Sequence, residues 1–345
     1  MRIAVYGASG FTGRLAVAEV RRRGFTPVLV GRDAQRLKAA AREAGAAEAE
    51  AELRVAGLAD STGLATAFAD CDAVVNCAGP FTRWGEPVVR AAIAAGTNYV
   101  DTTGEQGYIQ RVFDTFSKEA ERAGVSVVPA MADDGGPGDL IASLTAARVE
   151  PVDEILIADL RRPGGGASRG TARSMASVFA EGAREYEDGA WRPASAAPLE
   201  PITPPGEPAA VPVTAFALPG VVTVPRHTGA RRVHSAIRTD AAAMFSALTP
   251  DIVDSVPEAV PEEARRAGRW LMLAEATGTD GRRARGWVTG ADPYGLTAVI
   301  AVEGARRLSV EGTARAGVLT PAQAYDPADF LDGLAPHGVT WEVRD

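Results

Sequence analysis

Arg2-Ile3-Ala4-Val5-Tyr6-Gly7-Ala8-Ser9-Gly10-Phe11-Thr12-Gly13 opens the chain, and its reading decides the fold. Arg2 to Tyr6 is a short apolar run stopped by glycine, the signature of a buried strand, and Gly13 to Arg23 continues at helical period. Between them lies a G-x-x-G-x-x-G loop. Glycine lets the backbone turn sharply, approach a pyrophosphate and bring the helix close to the strand, while free N–H groups and the helix dipole attract the anion. The loop predicts that Gly7, Ser9, Gly10, Phe11, Thr12 and Gly13 bind a dinucleotide.

The chain outward from this loop repeats the same alternation. Strands are predicted over 26–30, 51–56, 73–77, 98–101 and 125–130, with helices over 34–45, 61–70, 87–96 and 108–124. Six strands separated by helices make an α/β class, an N-terminal Rossmann doubly wound parallel sheet. The second strand ends Val30-Gly31-Arg32-Asp33. An NAD site places a carboxylate there, whereas Arg32 forks onto a 2′-phosphate, so NADP(H) is the expected cofactor. Arg36 and Lys38 are helpers or solvated helix charges, and Asp33 reads as a helix N-cap. Asp60 falls where the adenine would lie, or caps the helix from Ser61. Cys77, Ala78, Gly79, Pro80 and Phe81 follow the fourth strand, where small residues suit approach to the ribose. Cys77 itself reads as a packing residue rather than a nucleophile.

From about Val152 the texture changes: a strand over 154–160 without a regular crossover helix, five prolines within 201–212, a helical stretch over 259–273 and a strand near 285–289. This is a second, α+β domain. The expected organisation is 1–145 for the dinucleotide domain, 146–292 for the substrate domain, and a helix-led segment, 293–345, packing back onto the first.

Composition narrows the class. At about 150 residues per domain, 345 residues allow roughly two domains. Asp plus Glu is 44 against 36 for Lys plus Arg, a net charge of −8 that argues against nucleic acid and anionic membranes as partners. Two cysteines and three histidines form no recognised metal pattern, so no metal is expected. No signal peptide and no apolar run of 18 residues are seen, which predicts a cytoplasmic protein. Only Lys38 and Lys118 are lysines. Position i+4 from each of the six tyrosines is occupied by Gly10, Thr103, Val112, Ala190, Ala298 and Asp329, so the Tyr-x-x-x-Lys pair of short-chain reductases is excluded.

Further motifs are Gly79-Pro80-Phe81, Gly85 to Val89, Tyr99-Val100-Asp101-Thr102-Thr103-Gly104-Glu105, Pro137-Gly138-Asp139-Leu140, Ser168 to Thr171 with Ser174, and Gly317-Val318-Leu319-Thr320-Pro321-Ala322. With the glycine loop, they resemble the saccharopine dehydrogenase-like reductases, nearest to the branch that includes trans-acting enoyl reductases. The resemblance implies an NADP-binding Rossmann domain, a second α+β domain with substrate contacts and a C-terminal segment returning to the first. The chain departs at Ala132-Asp133-Asp134-Gly135, where the family shows Gly-Phe-Asp-Ser; Asp134 keeps the acid but loses its aromatic and hydroxyl neighbours.

The expected function is an NADPH-dependent oxidoreductase delivering hydride to a C=N (imine) or C=C (enoyl) bond of a small or carrier-bound substrate. The alternative is a non-catalytic NADP-sensing regulatory protein. A homodimer is compatible with either. For proton handling the candidates are Asp101, Glu105, Asp133, Asp134, Tyr294 and the histidines, with Asp134, Glu105 and Tyr294 put forward as catalytic. A donating carboxylate needs a raised pKa, which burial supplies. Asp101 and Glu105 have the alternative of satisfying backbone N–H groups in a tight loop. Asp139 reads as the N-cap of a helix starting at Leu140, and His227 and His234 as surface residues or parts of an anionic-substrate pocket.

Overall fold

The computed structural model describes residues 1–45, 51–162, 164, 166–195, 197–310 and 315–345. The first part of the chain alternates strand and helix: β1 (Arg2–Tyr6), α1 (Phe11–Arg22), β2 (Thr26–Gly31), α2 (Ala34–Glu43), β3 (Glu52–Val55), α3 (Ser61–Phe68), β4 (Ala73–Asn76), α4 (Phe81–Ala94), β5 (Asn98–Asp101), α5 (Gln106–Ala123) and β6 (Ser126–Val128). Then come α6 (Gly136–Ala146), β7 (Val152–Asp159), α7 (Arg169–Glu181), β8 (Arg184–Glu187), β9 (Ala190–Pro193), β10 (Val213–Ala215), α8 (Gly220–Thr223), α9 (Pro225–Thr228) and β11 (Arg232–Arg238). The remainder is α10 (Thr239–Ser246), α11 (Pro250–Ser255), α12 (Glu262–Ala267), β12 (Arg269–Gly278), β13 (Arg283–Ala291), α13 (Pro293–Val310), β14 (Gly317–Val318), α14 (Pro321–Ala324), α15 (Pro327–Asp332) and β15 (Thr340–Arg344).

Two compact units emerge. The first comprises Met1–Thr103, Tyr108–Ala132 and Tyr294–Leu319. Its seven-stranded sheet runs β14-β6-β5-β4-β1-β2-β3 with every pair parallel. Ile3, Ala4 and Val5 on β1 and Val74 and Val75 on β4 are fully buried, as strands covered on both faces must be. The order reverses between β1 and β4, the place where ligands bind in doubly wound sheets. The two-residue seventh strand, β14, was not predicted.

The second unit comprises Gly104–Gly107, Asp133–Pro293 and Thr320–Asp345. Its mixed sheet runs β15-β13-β12-β7-β11-β8-β9, with β10 beside β11. Helix α6 lies on one face: a β-carbon at Gly138 would meet Met272, and one at Gly286 would meet Thr145 and Ile141.

Several expectations need correction. Residues 320–345 belong to the second unit rather than the first, because β15 pairs antiparallel with β13; 311–314 lie outside the described residues. The helix expected over 259–273 ends at Ala267. Gly268 stops it, and Trp270, Met272 and Ala274 then alternate inward on β12, held between β7 and β13. No regular crossover helix follows the strand over 154–160: β7 pairs parallel with β11, and the connection between them runs through α7, the β8–β9 hairpin, β10, α8 and α9. The helix expected from Pro87 begins at Phe81, because Phe81, Gly85, Val88, Val89 and Ala92 form one buried stripe that carries it through the proline.

Within the first unit, an ion-pair cluster joins α1 to α13. Arg23 bridges Glu19 (Nε–Oε1 2.6 Å) and Glu303, and Glu303 also accepts from Arg306 and Arg307, each at 2.8 Å. Burial opposes the Glu303 charge, but the three arginines prevail and hold its pKa at about 2. Removing one partner of a buried cluster strands the others' charge, so Glu303→Gln should cost about 3 kcal/mol at neutral pH. A depressed carboxylate contributes stability above its unfolded pKa and loses it as pH falls through the folded value. The gap between wild type and variant in urea unfolding should therefore narrow between pH 4.5 and 2; a constant gap would contradict the assignment.

Candidate functional site

The glycine loop is shaped by close approach. Gly7 sits at φ +77°, and a β-carbon there would lie 3.0 Å from that of Ala78, which follows β4. A β-carbon at Gly13 would lie 2.2 Å from the Gly7 carbonyl oxygen, so only glycine lets α1 start there. Gly10 is the N-cap of α1 and supplies no side-chain cap, and the first turn holds no acid. The first-turn N–H groups are thus not occupied by a side chain, and the cradle fits a pyrophosphate.

Arg32 follows β2, exposed, and forms no ion pair among the described residues. Asp33 caps α2 by accepting from Gln35 and Arg36 N–H, and Arg36 is exposed on the first turn. Asp60 caps α3 through Gly63 N (2.8 Å) and borders an open groove with Arg54 and Thr66. After β4, Cys77 N donates to Tyr6 O and Ala78 N to Asn76 Oδ1. Burial pushes the Cys77 thiol up to about 12, which suits packing and not nucleophilic attack. The Phe81 ring is buried 5.6 Å from that of Tyr108, so it packs the core and only its backbone remains for a ligand. Ser9, Gly79 and Pro80 complete the two loops, and Pro80 is the N-cap of α4, again without a side-chain cap. Tyr294 stands edge-on to Phe11, ring centres 5.0 Å apart.

Asp101, fully buried, accepts from Tyr99 and Tyr108 hydroxyls at 3.0 Å each, from Ala130 N at 3.0 Å and from Thr103 N at 3.2 Å. Burial still raises its pKa to about 6. It holds Ala130 at φ +64°, a conformation that ordinarily favours glycine, at the end of β6. Its role is to position backbone, and the Asn76–Tyr99–Tyr108 network around it was missed because no motif links those three positions in sequence.

The second unit gathers the other acids. Arg161 donates from Nε to Asp159 (2.6 Å) and forms an ion pair with Asp133 (Nη1–Oδ2 2.9 Å). Burial, with the negative charge of Asp133 next, pushes Asp134 up to about 7. Gly104 lies so close that a β-carbon there would be 2.6 Å from Asp134 Oδ2, and the next residue, buried Glu105, accepts from Ser174 Oγ at 2.9 Å. Ser168 caps α7 by accepting from Thr171 N. The geometry thus places Asp134 and Glu105 in the second unit and Tyr294 in the first, beside the glycine loop.

Asp139 is not an N-cap, because α6 starts at Gly136. Its buried carboxylate instead meets His227 Nε2 at 2.9 Å and Ala322 N at 2.8 Å. The surface placement of the histidines is likewise corrected, their side chains being 8% (His227) and 14% (His234) exposed. Burial opposes charge on His227, but Asp139 outweighs it and raises the pKa. Among the described residues no three His, Cys, Asp or Glu side chains are grouped to hold a metal, and no helix is long and apolar enough to cross a membrane.

Residues 3–131 match the saccharopine dehydrogenase NADP binding domain. This stretch of the chain binds NADP(H). The chain is 34% identical over 183 residues to a Mycobacterium tuberculosis protein provisionally named a trans-acting enoyl reductase, covering 51% of this chain and 44% of that one. It is 34% identical over 140 residues to a trans-acting enoyl reductase of the same species, covering 40% and 34%. The chain thus spans less than half the length of these relatives. Saccharopine dehydrogenase (L-Glu forming) from Saccharomyces cerevisiae matches all of both chains at a TM-score of 0.64 and 14% identity, a likeness of fold alone.

The acid cluster can be read directly. Carbon-13 NMR of labelled aspartate should show a carboxyl titrating near pH 7 that vanishes in Asp134→Asn. Its midpoint should fall in Asp133→Asn, since the neighbouring negative charge is gone. An unchanged midpoint in Asp133→Asn would remove Asp133 as a cause.

Proposed function

We propose that the chain is an NADPH-dependent oxidoreductase that reduces a C=N or C=C bond of a small or carrier-bound substrate in the cytoplasm. The observation that carries this reading is the uncapped N-terminus of α1 behind a glycine turn, in the same unit as Arg32, an exposed arginine without an ion pair among the described residues. In this reading the first-turn N–H groups of α1 hold the pyrophosphate, Arg32 forks onto the 2′-phosphate, and the Cys77–Pro80 turn takes the ribose side. NADPH bound there supplies the hydride.

The chain's own residues supply the proton. At neutral pH about half of a carboxyl with a pKa near 7 is protonated, which suits Asp134 as a general acid. Glu105, fixed by Ser174, orients polar substrate groups, and Tyr294 packs beside the cofactor loop. Reduction of an enoyl bond requires a proton at carbon after hydride addition, whereas an iminium needs none. A protonated acid together with relatives named as enoyl reductases favours the C=C substrate.

Arg32→Asp should weaken NADPH binding by roughly a hundredfold while NADH binding changes by less than about threefold. Fluorescence titration with both cofactors reads the difference, and equal losses would sink the 2′-phosphate role. Oxidation of NADPH should be seen with enoyl thioesters or cyclic imines and be lost in Asp134→Asn for enoyl substrates. Inertness toward every substrate, with NADPH binding intact, would replace the reductase by a sensor.

A further inference from the structure

Four fully buried polar side chains of the first unit, Asn76 on β4, Tyr99 and Asp101 on β5 and Tyr108 on α5, form a directed chain of hydrogen bonds. An ionised carboxylate can only accept. Asp101 Oδ1 is taken by the N–H groups of Thr103 and Ala130, and the Tyr99 and Tyr108 hydroxyls both donate to Oδ2. With its proton committed, the Tyr99 oxygen accepts from Asn76 Nδ2 (2.9 Å), which turns Asn76 Oδ1 onto Ala78 N–H (3.0 Å). The order of donors and acceptors starts at the Asp101 charge and ends at Ala78.

Ala78 is where the turn after β4 meets the glycine loop. A β-carbon at Gly7 would lie 3.0 Å from Ala78 Cβ and 3.1 Å from Ala78 N. A second branch of the chain reaches α4. Tyr108 occupies the space of a side chain at Gly85, where a β-carbon would lie 2.7 Å from its hydroxyl, and its ring packs on Phe81 at the start of that helix. The chain therefore supports both the turn 77–80 and the uncapped helix that follows it. Packing alone would be served better by apolar side chains, because burying a carboxylate is costly; a satisfied polar network instead fixes one arrangement.

We infer that Asp101 is a positioning residue for NADP(H): through Tyr99 and Asn76 it fixes Ala78 N–H, and with it the turn that takes the ribose. The inference rests on the ribose placement proposed above. The ionisable groups that meet Asp101 are Tyr99 on β5, Tyr108 on α5 and the Cys77 thiol after β4, while α4 brings Phe81 and Gly85 against Tyr108 and the turn after β6 brings Ala130 N. Burial holds both phenols well above their ordinary range and the thiol at about 12. Between about pH 4.5 and 8, only the Asp101 carboxyl, raised by burial to about 6, titrates in this network.

The test uses the full chain labelled with nitrogen-15 alanine, first without cofactor and then with NADPH or NADH. In the free wild type the Ala78 amide should follow the Ala130 amide through one titration near pH 6. In Tyr99→Phe, Ala130 should still titrate, because it donates to Asp101 directly, while Ala78 should not. The same variant should bind NADPH and NADH each about tenfold more weakly at neutral pH, since the ribose is common to both, whereas Arg32→Asp separates the two cofactors. A wild-type Ala78 amide that does not titrate with Ala130, or unchanged cofactor affinity in folded Tyr99→Phe, would overturn the inference. Should Tyr99→Phe fail to fold by circular dichroism, the wild-type Ala78 titration decides. An Ala78 amide unmoved by saturating NADPH would remove the ribose placement and this inference with it; one that moves with NADPH while Tyr99→Phe binds normally would overturn the positioning role alone.

Discussion

The passage of Gly13 over the Gly7 carbonyl is the constraint on which the first unit's site depends. With 2.2 Å between that oxygen and any β-carbon, α1 can begin against β1 only if residue 13 has no side chain. A second consequence follows at the N-cap. Helices α2 and α3 spend their leading N–H groups on Asp33 and Asp60, whereas α1 and α4 begin at Gly10 and Pro80 with no side-chain cap. The two uncapped helices follow β1 and β4, the neighbouring strands between which the sheet order reverses. Donors are thus left open at the switch point and consumed away from it, as a site for a negatively charged ligand demands.

The Asp101 carboxylate does a complementary job on the same edge of the sheet. Four donors converge on it, two hydroxyls and two backbone amides, and together they tie β5 to α5 and to the turn after β6. Burial of a carboxylate is unfavourable and raises its pKa, so its retention is consistent with the geometry it enforces at Ala130. That turn leads into the residues at which Asp133 and Asp134 stand.

Much of the first unit was legible from residues 1–130 because each cue there is local. Apolar runs, glycine stops and Asp caps need no distant partner, and β5 was read at its observed limits, Asn98–Asp101. The failures share one physical cause, competition from distant chain segments. Gly268 to Leu273 has helical composition but becomes strand because β7 and β13 offer ladders on both sides. Residues 320–345 end in the second unit because β15 finds the edge of β13. The same holds for the site. The glycine loop and Arg32 are contiguous cues, whereas Glu105 with Ser174, Asp139 with His227 and Arg161 with Asp133 are joined over 69, 88 and 28 positions. No spacing rule encodes such pairs.

The acid cluster of the second unit has its own arithmetic. Three carboxylates, Asp133, Asp134 and Asp159, act on the guanidinium of Arg161, and among the described residues Arg161 forms ion pairs with Asp133 and Asp159. Keeping all three ionised in a buried setting would leave excess negative charge with no counterion, so the group without a direct bond is the one that takes up a proton. Burial is the larger cause of the Asp134 shift and Asp133 is the next. Asp133 therefore acts on Asp134 through its charge, in the same direction as burial.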